Sequence, residues 1–218
     1  RAIWLAPFNM RKGDAKWLAP IGLSTISLIA TDRKTAGELI EHGENQNRVR
    51  ISKKISQLGS YYVTGTAAAA LYLAGRAANN ARAKETGELA GEALINSILV
   101  VGVLKAAAQR QRPSSDESSG EFFDRGTSFP SGHSASAWSL ATVIAYEYGK
   151  RKPLVPVIAY GAASAVSLSR FTGRKHFLSD VLVGSALGFA IGRYVYRQRH
   201  DSSLDSPRDH STSSERIL

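Results

Sequence analysis

The chain has 218 residues, a net charge of +10 and a mean hydropathy of −0.17, and that length supports one sizeable helical core. It lacks cysteine, which excludes disulfides and thiolate–metal sites. Its basic residues are scattered and form no nucleic-acid motif, so the expected partners are an anionic membrane surface or a phosphorylated substrate, and no nucleic acid.

In chain order, Arg1–Lys16 mixes Trp4, Leu5 and Phe8 with Arg11, Lys12 and Lys16. That pattern predicts an interfacial arm or a segment docked on the protein's own core. The chain opens at Arg1, without Met and without a signal-type apolar region, which fits removal of an N-terminal leader. Leu18–Thr31 reads as a helix, and Thr31-Asp32 as the N-cap of a second one over Lys34–Arg50. Further helices are predicted over about 53–77, 84–111, 133–150, 153–169 and 177–197. Strand-type alternation is missing. The expected fold is therefore all-α: a single-domain bundle of about six to seven helices over 1–198, with its motif core at 105–180. A disordered, Ser- and Asp-rich tail over 199–218 is expected to follow it. Ser114–Ser128 is a polar, acidic loop with Phe122 and Phe123 in its middle, expected either to lie over a site or to be plain surface. Gly184, Gly188 and Gly192 recur every four residues and predict close helix packing.

A spanning helix needs about 20 predominantly apolar residues. Ile55–Gly75 is uncharged for 21 residues but rich in Ala, Gly, Ser and Thr; Pro153–Ser169 gives 17, and Phe177–Gly192 gives 16 with Asp180 inside. On these runs a soluble or surface-associated domain is expected, with an integral membrane protein as the alternative.

Three short blocks carry the chemistry: Lys105 with Arg112-Pro113, Pro130-Ser131-Gly132-His133, and Ser169-Arg170 with His176 and Asp180. Each block alone has an ordinary explanation, as a solvated basic face, a Ser-Gly cap or a surface His–Asp pair. Together they supply three cations, two imidazoles and one carboxylate. Lys105 and Arg112, seven apart, are expected on one face of a helix that Pro113 ends. Ser131 is expected to cap the next helix, whose first N–H groups attract anions. Gly132 lets the backbone approach a phosphate. His176 and Asp180, four apart, are expected to share a helix face, with the carboxylate orienting the imidazole.

These blocks resemble the signature of the type-2 phosphatidic acid phosphatase superfamily, which also includes bacterial acid phosphatases and vanadium haloperoxidases. The resemblance implies a helical, metal-independent phosphatase of the bacterial periplasm or cell envelope. It implies that His176 is the nucleophile and forms a phosphohistidine, that Asp180 orients it, and that His133 is general acid and then base. Lys105, Arg112, Ser131, Gly132 and Arg170 would hold the phosphoryl oxygens. The implied substrate is a phosphorylated lipid or a small phosphate ester. No cofactor is implied, and vanadate would inhibit. A vanadate-dependent haloperoxidase, with vanadate as cofactor, is the alternative enzyme. A non-catalytic phosphate- or phospholipid-binding module is the third reading, although binding alone would not require His133, His176 and Asp180.

Overall fold

The computed structural model describes residues 15–41, 46–113 and 120–205. Among them are seven α-helices: α1 (Ala15–Glu41), α2 (Gln46–Gln57), α3 (Tyr61–Ala77), α4 (Ala81–Ala108), α5 (Gly132–Tyr148), α6 (Leu154–Thr172) and α7 (Leu178–Arg199), followed by a 3-10 turn at Ser202–Asp205. No strand occurs among the described residues. Residues 1–14, most of the predicted arm, lie outside them, as do 114–119 and 206–218.

Polar caps set several boundaries. Ser60, Asn80 and Ser131 open α3, α4 and α5 by accepting the backbone N–H of Val63, Ala83 and Ser134. The helix predicted over 53–77 is therefore two helices, broken at the Ser60 cap. Gly59 lies in the break because a Cβ there would sit 2.8 Å from the His133 carbonyl oxygen. The predicted break at Thr31-Asp32 is absent, and α1 runs through both residues. Asp32 is not a cap. Its buried carboxylate accepts from Arg110 and from the Ser179 hydroxyl, which satisfies it in mid-helix.

The predicted helix over 84–111 stops at Ala108, because Gln109 turns left-handed at φ 43°. The described part of the 114–128 loop then folds back along 108–111. Phe123 N–H donates to the Ala108 carbonyl at 2.9 Å, and Gln111 N–H to that of Glu121 at 2.9 Å.

Helix α5 is central, packed by α7, α6 and α4, while α3 pairs with α4. The glycine stripe of α7 sets the α5–α7 distance. A Cβ on Gly184, Gly188 or Gly192 would fall 2.4, 2.2 or 2.7 Å from the carbonyl oxygen of Ser131, Ala135 or Ser139. The interior is small and hydroxylated: Ser97, Ser134, Ser136, Ser139 and Thr142 are fully buried. Large apolar side chains face outward, among them Leu99 and Val103 on α4 and Val157 and Ile158 on α6. Helices α4, α6 and α7 are each long and apolar enough to cross a membrane. The uncharged runs of the sequence understated them, because each helix carries polar residues at its ends.

Residues 200–205, the start of the expected disordered tail, stay on the body, while 206–218 lie outside the described residues. Arg82 donates to the Leu204 carbonyl and pairs with Asp205 at 2.9 Å, which pins the 3-10 turn against α4.

Candidate functional site

Ser131, Gly132 and His133 open α5 where it meets α7. Ser131 is fully buried; its hydroxyl accepts from Ser134 and its N–H donates 2.9 Å to the Asp180 carbonyl. Gly184, one turn beyond Asp180, presses on the Ser131 carbonyl, so the glycine stripe also fixes the mouth of the site. A Cβ on Gly132 would lie 2.3 Å from the Tyr61 hydroxyl. His133 is half-buried, with its ring centroid 6.5 Å from that of Tyr61.

His176 and Asp180 are not on one helix face as predicted. His176 precedes α7, and Asp180 is its third residue. The Asp180 carboxylate folds back over the helix start to accept the Phe177 N–H at 2.9 Å, and this brings it to His176. The imidazole is 2 % exposed, and its Nδ1 lies 3.6 Å from Asp180 Oδ2 without a hydrogen-bond partner. Asp180 therefore stands on the Nδ1 side of the ring, and Nε2 faces away from it.

The sequence reading missed what holds Asp180. Arg110 is buried; its two Nη groups donate to the Asp180 carboxylate at 2.8 Å, the Ser179 hydroxyl at 2.7 Å and the Asp32 carboxylate at 2.9 Å, and its Nε donates to the Gly120 carbonyl at 3.1 Å. It is sandwiched between the rings of Phe122 and Phe177, 4.7 and 4.3 Å from their centroids. The Ser128 hydroxyl donates to Asp180 as well. Asp32 closes the uncharged stretch 17–31 of α1, the one available signal for it. Arg110, in a run of polar residues, carried none.

The three predicted cations come from three directions. Lys105 is in the last turn of α4 and donates to the carbonyls of Thr127 and Ser128. Arg112 lies beyond the end of α4, so the two-turn argument for one face fails. It reaches the same loop by folding back, and donates to the Thr127 hydroxyl at 3.3 Å. Arg170, in the last turn of α6, donates to the Ser56 hydroxyl, and its Nε is buried without an acceptor. Arg170, His176, Arg112 and Lys105 all lie within electrostatic reach of His133, so the three sequence blocks converge.

Burial, reinforced by those four neighbours, holds His133 down to about 4. Burial likewise brings His176 down to about 4, against the opposing pull of Asp180. Both imidazoles are therefore neutral at neutral pH. Three cations, one of which (Arg170) keeps a buried donor without an acceptor, and two neutral imidazoles form a setting suited to a phosphate dianion.

The sequence profile of the PAP2 superfamily matches residues 89–204, which contain all three blocks. Over 69 residues the chain is 44 % identical to a lipid A 1-phosphatase of Porphyromonas gingivalis, a stretch that covers 32 % of this chain and 16 % of the relative. The chain spans less than half the length of the curated relatives it matches. Among solved structures, it resembles a transmembrane PAP2-type phosphatidylglycerolphosphate phosphatase from Bacillus subtilis with TM-score 0.60 and 23 % identity, over 88 % of this chain and 98 % of the other. Aquifex aeolicus LpxE gives the same TM-score and identity over 76 % and 94 %. These likenesses establish the fold. The profile match covers more than half of the chain and encloses the whole convergent cluster, and on that ground the chain belongs to the PAP2 superfamily.

Proposed function

We propose that this chain hydrolyses the phosphate ester of a membrane lipid, without a metal, through a phosphohistidine on His176. The observation that carries the reading is the unpaired, buried Nε of Arg170 beside two neutral imidazoles and two further cations. A buried donor without an acceptor is costly, and a phosphoryl oxygen would satisfy it.

In this mechanism Lys105, Arg112 and Arg170, with the first N–H groups of α5, hold the phosphoryl oxygens. The Nε2 lone pair of His176 attacks phosphorus as the bond to the lipid oxygen breaks. His133 gives that oxygen a proton. His133 then takes a proton from water, the water oxygen attacks phosphorus, the P–N bond breaks and phosphate leaves. A bound dianion cancels the positive field around His133 and raises its proton affinity, so the substrate itself arms the acid.

The lipid substrate follows from the exterior of the bundle. Leu and Ile face outward and hydroxyl groups face inward, the arrangement of helices surrounded by lipid. In this reading α4, α6 and α7 cross the bilayer, which makes the chain integral rather than surface-bound. The lipid A 1-phosphatase relative acts on a lipid phosphate by its name, and the present proposal extends that class of substrate to this chain. The test is a panel of lipid phosphates in vesicles against soluble aryl phosphates. Preference for the lipids by tenfold or more in kcat/KM is expected, and equal rates on soluble esters would overturn the lipid assignment.

A further inference from the structure

At the opposite end of α5 from His133 lies a second cluster of chemistry-bearing side chains that phosphoryl transfer does not use. Glu147 is 14 residues beyond His133 on that helix, about 21 Å along its axis. Around it gather Glu85 of α4 and His200, just after α7. Glu147 is fully buried, and the side chains of Glu85 and His200 are 11 % and 10 % exposed.

Four buried atoms are left without a hydrogen bond: Glu85 Oε2, Glu147 Oε1 and both ring nitrogens of His200. His200 Nδ1 lies 3.3 Å from the first and 3.4 Å from the second, and all three atoms are within 4.8 Å of one another. Ligands about 2.0–2.2 Å from a tetrahedral metal stand about 3.3–3.6 Å apart. Both His200 separations fall in that range.

The surrounding groups fit the same reading. The second oxygen of Glu147 accepts from Arg82 at 3.0 Å, and that of Glu85 accepts the Asp201 N–H at 2.6 Å, so each carboxylate is oriented with one oxygen left over. Asp205 Oδ2 lies 3.4 Å from His200 Nε2, an ion-pair separation without a hydrogen bond, on the side where a carboxylate can orient a metal-binding imidazole. Tyr196 stacks on the His200 ring at 4.4 Å; its hydroxyl is buried, unpartnered and within electrostatic reach of Glu147, Asp205 and Glu85.

The geometry points to a structural divalent-metal site of the zinc class, with Glu85, Glu147 and His200 as ligands and Asp205 as the residue that positions His200. The metal would tie α4, α5 and the segment after α7 together, remote from the phosphate chemistry, and the inference does not depend on the proposed activity. The test uses the full chain in detergent, stripped by a chelator and titrated with zinc, with binding followed by calorimetry, metal analysis and thermal unfolding. One zinc per chain and a rise in Tm are expected, with tetrahedral absorption bands when cobalt replaces zinc. Glu85→Gln and His200→Gln should each abolish the Tm response, and Asp205→Asn should weaken binding about 10- to 100-fold. A His133→Ala, His176→Ala double variant should keep the metal. Absence of stoichiometric zinc, or zinc binding untouched by Glu85→Gln and Asp205→Asn, would overturn the site. So would a Tm that responds to acid but not to zinc, since a shared proton would then hold the cluster.

Discussion

Arg110 and Asp180, seventy residues apart in sequence, meet in a buried ion pair of 2.8 Å that fixes the carboxylate beside His176. Breaking it leaves Asp180 and Asp32 as uncompensated buried charges. Arg110→Leu is therefore expected to destabilise the fold by about 3–5 kcal/mol. Arg110→Lys should fold better yet lose most of kcat with KM nearly unchanged, because a single ammonium cannot hold three acceptors in a planar fork. Thermal unfolding and steady-state kinetics on the two variants check this. Full activity in Arg110→Lys would show that Asp180 needs no such clamp.

Phosphate binding should be linked to proton uptake. His133 is held at about 4 in the free site by burial and by its cationic neighbours. A bound dianion opposes that field and raises its proton affinity. Calorimetry of phosphate or vanadate binding near pH 6 in buffers of different ionisation heat should show a proton balance more positive, by a fraction of a proton, than in His133→Gln, since any proton released by the anion itself is common to both.

Stability should fall as pH drops from about 6.5 to about 4. An unfolded His takes a proton below about 6.5, whereas folded His176 stays neutral to about 4. The unfolded state thus binds more protons in this window, and stability rises with pH across it. His133, also held at about 4, adds to the slope; Tm measured against pH should show it, and His176→Gln should reduce it.

Gly188→Ala should separate α5 from α7. Its Cβ would meet the Ala135 carbonyl at 2.2 Å, a backbone atom that cannot swing aside. A loss of about 1–3 kcal/mol is expected from overpacking. Activity should fall as well, since the same helix contact seats Ser131 against Asp180. Thermal unfolding and kcat measured on one preparation test both effects.

The residues that touch phosphate in the proposed mechanism were legible because each needs a particular functional group, and the three blocks name those groups in order. The geometry that unites them was less legible. Lys105 and Arg112 were placed on one helix, but Gln109 ends α4 between them in a left-handed conformation that the sequence pattern does not mark. His176 and Asp180 were read as neighbours on a helix, whereas the pair forms through a carboxylate folded back over a helix start. Arg110 and Asp32 escaped notice because their partners are brought in by tertiary packing alone. That α4, α6 and α7 are long and apolar enough to cross a membrane was obscured for a related reason: they carry polar residues at their ends and inward, which shortens the uncharged runs without shortening the helices.

The central claim, covalent transfer of the phosphoryl group to His176, is tested most directly by rapid quench at alkaline pH with a lipid carrying a radiolabelled phosphate, followed by digestion and location of the label. The account predicts label on the peptide containing His176, accumulating in His133→Ala and absent from His176→Ala, which should turn over at least about a thousandfold slower than the unaltered chain. Turnover at the full rate by His176→Ala, with no labelled histidine in either variant, would contradict it.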